Sequence, residues 1–267
     1  MFLSYFAIPI VILLSVSQYK NLKMLCFGMT FFYESYIVEN FRSLSTIGWP
    51  YATARHGLVA EFEKIEPKCL PQTFTFKGQT YNLEDWLKSH WTTGLVILRV
   101  DSPTKASLLY ESYYLGNSSQ TKTISWSIGK SVVSALVGIA ISEGKIRSIE
   151  DDVTLYVPQL KGSGYDGVKI KHVLQMSSGI AFNEDYDNPF SDINQMAYWL
   201  GLGWNLESLI HSLKRDQEPG TVHNYISVDT QVLGMILKSA IGQSHGDTPL
   251  TPFFVTLYGV NGVSPWN

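Results

Sequence analysis

The sequence is short of charge and of cysteine. Asp, Glu, Lys and Arg make up 16% of its 267 residues and the net charge is −3, with the basic residues scattered. There is therefore no positive stripe on which a phosphate backbone could be neutralised, and nucleic acid is not expected as a partner. Two cysteines, Cys26 and Cys69, form no C-x-x-C pair, so neither a disulfide framework nor a cysteine zinc site is expected. The six histidines (His56, His90, His172, His211, His223 and His245) stand apart from one another without an H-E-x-x-H pairing. No metal and no cofactor are expected. What remains is apolar: 45% hydrophobic and 13% aromatic residues, enough to bury the core of one ordinary domain with a smaller extension.

From Phe2 to Val16 the chain is almost wholly apolar, with no charge before Lys20. This run is long for the core of a signal peptide and slightly short for a bilayer span, so a cleaved leader and a membrane anchor through residues 2–16 both fit. Ser15-Val16-Ser17 has a small-x-small cleavage pattern, but a positive stretch before the apolar run is missing. The expectation is an exported or membrane-anchored protein on the periplasmic side, with a cytoplasmic one as the alternative. The chain divides into a leader over 1–20, an irregular arm over 21–72, a principal domain over 73–243 and a divergent tail over 244–267. Oligomeric state is not legible.

Short strand-like runs occupy Thr73 to Phe76, Gly94 to Val100 and Ala106 to Leu115, the last two flanking the turn-like Asp101-Ser102-Pro103-Thr104-Lys105, and two of them are expected to pair as an antiparallel hairpin. Between Ser127 and Ser142 the residues are apolar or small at helical spacings and Gly144 follows, which predicts a deeply buried helix. Ser148 with Asp151 forms a possible capping box. Further helices are expected near 171–176, 194–200, 206–213 and 228–240. Strands first and helices afterwards predict an α+β fold, an antiparallel sheet flanked by helices.

The chemistry centres on Ser127-Ile128-Gly129-Lys130, an S-x-x-K whose three-residue spacing puts hydroxyl and amine on one helix face. A serine hydroxyl is a weak nucleophile at neutral pH and needs a base within hydrogen-bond reach, a task a lysine can perform when its surroundings favour the neutral amine. The spacing alone is common, since Ser17, Ser102, Ser119 and Ser142 also precede a lysine by three residues. Those four lie in the leader, in polar turns or at a helix end; Ser127 alone opens an apolar helix. The bland alternative is a capping serine with a snorkelling lysine.

A second stretch, Pro219-Gly220-Thr221-Val222-His223-Asn224-Tyr225-Ile226-Ser227, leads into another apolar helix. A phenol beside a cationic lysine can relay protons between an attacking serine and a leaving group. That makes Tyr225 a candidate relay, against the alternative of a core tyrosine.

These stretches, with Ile170 to Gly179 between them, resemble the β-lactamase-related serine hydrolases, a family that includes class C β-lactamases, penicillin-binding-protein-like DD-peptidases and esterases. Ser125-Trp126-Ser127, Phe182-Asn183-Glu184-Asp185-Tyr186 and Tyr225-Ile226-Ser227 resemble its nylon-oligomer (aminohexanoate-dimer) hydrolase branch. The resemblance implies a covalent acyl-enzyme on Ser127 with Lys130 as base and Tyr225 as proton relay, acting on a small-molecule amide or ester. It further implies that Tyr186 contacts the substrate from a mobile loop and that Ser227 supports the hydrogen bonds of Lys130 and Tyr225. The run 170–179 is structural in that family, and His172 is given no catalytic part. Glu184, Asp185, Asp187 and Asp192 make the loop acidic, which fits either a solvated loop or attraction for a cationic substrate end.

The family's third motif, Lys or His followed by Ser or Thr and then Gly, is missing downstream of Tyr225. In the family that strand contributes an oxyanion donor, and losing one such donor costs about 100- to 1,000-fold in turnover. The resemblance ends near Ser244, and a truncated or frame-shifted copy is the expectation, with an intact divergent member as the alternative. Two functions follow: a serine hydrolase, or a catalytically impaired remnant acting as a ligand-binding module.

Overall fold

The computed structural model describes residues 30–43, 62–66, 69–102, 105–201 and 205–241. The leader expected over 1–20 and the tail over 244–267 lie outside them. Contact density divides the chain into two compact units, one ending at Ile124 and one beginning at Ser125.

The first unit is built on strands. In chain order it holds α1 (Ile37–Ser43), β1 (Glu63–Lys64), β2 (Thr73–Phe76), β3 (Gln79–Asn82), α2 (Leu83–Ser89), β4 (Gly94–Ser102) and β5 (Lys105–Tyr113). The expected hairpin is β4 with β5, antiparallel from Gly94↔Tyr113 to Ser102↔Lys105, while β1 runs parallel to β5 through Glu63↔Ser107. The strand expected at Thr73 to Phe76 pairs with β3, which sequence reasoning missed. Its signal was Lys77-Gly78, two residues at φ 50° and 80°, the left-handed pair that closes a two-residue hairpin. Asn82 ends β3 and caps α2, its side chain accepting from Asp85 N–H at 3.1 Å. The described part of the arm is not wholly irregular, since it contains α1.

The second unit is helical: α3 (Ile128–Ser142), α4 (Val153–Tyr156), a 3-10 turn (Pro158–Leu160), α5 (Ile170–Leu174), α6 (Asp192–Gly201), α7 (Leu206–Ser212) and α8 (Ser227–Ile241). Its centre is α8, buried at every residue from Ser227 to Leu237, with α3, α4 and α5 packed on it. The fold class is thus α+β, with helices and small sheets that are antiparallel apart from the short parallel pairing of β1 with β5.

Two expectations need correction. α3 is not deeply buried: Gly129, Val133, Val137 and Ala140 turn inward, whereas Ile128, Val132 and Ile139 are 73%, 49% and 52% exposed. α3 carries apolar residues on its outward face as well as its inward one, so apolar spacing alone does not mark the inner face. Ser148 is not a helix cap either. Its hydroxyl accepts from Glu150 N–H at 3.1 Å in a turn, Asp151 is occupied by Tyr156 OH at 2.8 Å and Arg147 at 3.1 Å, and α4 starts only at Val153.

The segment 176–179 after α5 holds the loop that leads to α8. Met176 O accepts from Asn224 N–H and Ser177 O from Gly220 N–H, both at 2.7 Å, while Gly179 O accepts from Asp216 and Gln217 N–H at 3.0 and 3.2 Å. Gly179 adopts φ +79°, and a Cβ there would lie 2.2 Å from Gln217 O. Both the backbone angle and the space demand glycine. Gly179→Ala is expected to destabilise the fold by about 2–4 kcal/mol, read as a lowered urea midpoint with an unchanged m-value.

Candidate active site

Ser127 sits in the turn that opens α3, after Trp126, whose φ of 47° is left-handed for a bulky residue. Holding such a conformation costs on the order of 1–3 kcal/mol. The turn is closed by Ile128 N–H to Ser125 O at 3.2 Å and Gly129 N–H to Trp126 O at 3.0 Å. Although Ser127 occupies the cap position, its side chain caps nothing. Its hydroxyl instead accepts from Lys130 Nζ at 3.1 Å. The capping alternative is thereby removed, and the i,i+3 spacing has delivered the amine to the hydroxyl.

Lys130 has a second partner 97 residues away, donating to Ser227 Oγ at 3.2 Å. Its ammonium also lies 5.2 Å from the centroid of the Tyr225 ring, within cation–π range. The contact with Tyr225 is thus through the ring face rather than the phenolic oxygen. Tyr225 is 42% exposed, on the loop held by segment 176–179.

Ser227, the first residue of α8, is gripped by Glu184. The carboxylate accepts from the Ser227 N–H at 2.9 Å through Oε2 and from its hydroxyl at 2.5 Å through Oε1. Tyr186 OH donates to the same Oε1 at 2.7 Å. Burial, together with that carboxylate, pushes the Tyr186 phenol up to about 12, so it stays protonated at neutral pH. Of the residues singled out in the sequence, Ser127, Lys130, Tyr225 and Ser227 meet directly, and Tyr186 joins them through Glu184. The grip of Glu184 on Ser227 was missed, because nothing in a sequence links residues 43 apart across two loops.

Ser127, Lys130 and Tyr225 line a cleft of about 440 Å³, whose apolar wall includes Leu174, Met176 and Leu233. Ser131, Ser134 and Thr230 add hydroxyls to the same lining. Among the described residues no three His, Cys, Asp or Glu side chains gather as a metal site would require, and no helix is long and apolar enough to cross a membrane.

Residues 106–248, more than half of the chain, match the family model described as Beta-lactamase. The chain belongs to the β-lactamase family. A 6-aminohexanoate-dimer hydrolase from Paenarthrobacter ureafaciens is 31% identical over 170 residues, covering 60% of this chain and 41% of that protein. An Escherichia coli K12 protein assigned as a D-alanyl-D-alanine carboxypeptidase is 31% identical over 107 residues, 39% of this chain and 24% of its own length. The chain thus spans less than half the length of these two relatives. Among solved structures, a Bacillus anthracis protein assigned as a 6-aminohexanoate-dimer hydrolase superposes with a TM-score of 0.66 at 16% identity, over 80% of this chain and 57% of that one. Its likeness is one of fold. The resemblance to the β-lactamase-related family is therefore shown, and the Paenarthrobacter and Escherichia coli relatives bear the names of hydrolases.

Behind the site lies a polar group that sequence reasoning did not single out. Asp229 is fully buried on α8, with Tyr165 OH donating to Oδ1 at 2.8 Å. Burial raises its pKa to about 7, partly offset by the hydroxyls of Ser178 and Tyr165. A carboxyl whose folded value lies above its unfolded value stabilises most below the unfolded value, and that stability is lost as pH rises through the folded one. The urea midpoint is therefore expected to fall between about pH 4 and pH 7, and Asp229→Asn should flatten this slope. An unchanged slope in the variant would assign the effect to another group.

Proposed function

We propose that the chain is a serine hydrolase that cleaves amide or ester bonds through an acyl-enzyme on Ser127. The observation that carries this reading is the 3.1 Å contact between Lys130 Nζ and a Ser127 hydroxyl that caps no helix and faces a cleft. In the forward step the Ser127 Oγ bonds to the substrate carbonyl carbon while its proton passes to Lys130. Collapse of the tetrahedral adduct breaks the C–N or C–O bond, and the leaving group takes a proton delivered by way of Tyr225. Water then attacks the ester, its proton follows the reverse route, and Ser127 is regenerated.

Ser227 supplies Lys130 with an acceptor that does not compete for Ser127. The Tyr186 hydroxyl proton is held by Glu184, and its half-exposed ring supports a part in packing on the substrate chain. The name of the Paenarthrobacter relative points to a small amide-linked dimer as the substrate class to try first. The apolar run over residues 2–16 supports export or membrane attachment as part of the same reading.

The test is intact-protein mass spectrometry of the full chain after treatment with an alkyl fluorophosphonate, beside its Ser127→Ala variant. The expected result is one adduct per chain, absent from the variant, with Lys130→Met labelling about 100- to 10,000-fold more slowly. A folded wild-type chain that takes no adduct would overturn the hydrolase reading and leave the cleft as a ligand-binding pocket.

A further inference from the structure

Glu184 occupies none of the roles above, yet it makes the most demanding contacts at the site. It takes the backbone N–H and the hydroxyl of Ser227 with separate oxygens, at 2.9 and 2.5 Å, and the Tyr186 hydroxyl with one of them at 2.7 Å. Ser227 in turn is the second partner of Lys130. We propose that Glu184 is a positioning residue for the Ser127–Lys130 pair and acts through Ser227; the proposal rests on the hydrolase reading.

The argument is one of proton accounting. A serine hydroxyl has one proton to donate and two lone pairs with which to accept. The Ser227 proton is spent on Glu184, so Ser227 can offer Lys130 only lone pairs, which is the direction the 3.2 Å contact takes. As an ammonium Lys130 donates to both Ser127 and Ser227; as the neutral amine that receives the Ser127 proton it must instead turn its nitrogen lone pair toward Oγ and keep its N–H bonds on other acceptors. One N–H held on Ser227 stops rotation about Cε–Nζ and leaves the lone pair free for Ser127. Were Ser227 to lose its grip on Glu184, its hydroxyl could turn and donate to Nζ, consuming the lone pair that attack requires.

Once Lys130 carries the proton, the ammonium has an acceptor already polarised by a carboxylate, and charge-assisted hydrogen bonds are the strong ones. The chain Ser127–Lys130–Ser227–Glu184 therefore has a single favoured direction, with no proton needing to move beyond Lys130. It has the logic of a nucleophile, a base and a group that orients the base. The Tyr186 contact adds a consequence: the residue expected to meet substrate is tethered to the oxygen that sets Ser227.

The experiment measures fluorophosphonate labelling of the full chain against probe concentration, separating the maximal acylation rate from the half-saturating concentration. Glu184→Gln cannot accept on both sides of Ser227, because its amide nitrogen is a donor. It is expected to lower the maximal rate about 10- to 100-fold with the half-saturating concentration nearly unchanged. Ser227→Ala, which keeps the backbone N–H for Glu184, should show the same loss, and the double variant should be no slower than the slower single one. Should Glu184→Gln fail to fold, Ser227→Ala still decides: wild-type acylation in that variant overturns the relay. Wild-type acylation in Glu184→Gln, or losses that multiply in the double variant, overturn the proposal while leaving the hydrolase reading intact. A wild-type chain that is itself unlabelled removes both.

Discussion

A helix buried on all sides has to find protein partners for its first N–H groups, because water cannot reach them. That constraint falls on α8, and the site follows from it. The opening N–H of α8 belongs to Ser227, and a carboxylate from a loop 43 residues earlier takes it. Negative charge is favoured at that end of a helix. The same carboxylate also takes the Ser227 hydroxyl, so the satisfaction of a buried helix terminus fixes the side chain that Lys130 meets. Structural need and chemical placement are one contact here.

The loop before α8 is governed in the same way. Its backbone groups are bound by the carbonyls of residues 176–179, at a separation that excludes any side chain on Gly179. The run 170–179, structural in the family it resembles, has a definite duty in this fold: it sets where Tyr225 begins its approach to Lys130. The contacts that hold the loop are backbone hydrogen bonds, which are indifferent to most side-chain substitutions.

The readable part of the sequence was the part with short-range logic. S-x-x-K at a helix opening needs only three residues of geometry, and its outcome, Nζ at 3.1 Å from Oγ, follows from the pitch of a helix. The β4–β5 hairpin announced itself by two strand-like runs about a turn. Long-range relations were not readable: Glu184 looked like one acid in an acidic loop, and nothing in its neighbours marks it as the partner of Ser227. Nor was the inner face of α3 readable, because Ile128, Val132 and Ile139 are as apolar as the residues that turn inward. Asp229 was invisible for a related reason, since an acid within an apolar helix gives no sign of which buried phenol will meet it.

Trp126 and Met176 border this chemistry with backbone angles, φ 47° and 52°, that suit glycine better than any bulky side chain. A thermostability screen would be drawn to both positions, because relieving left-handed strain is a ready source of melting temperature. Glycine at 126 would also give slack to the residue before the nucleophile, and glycine at 176 would strip a side chain from the cleft wall. The hardier variants such a screen rewards would be those in which the cleft had begun to come apart.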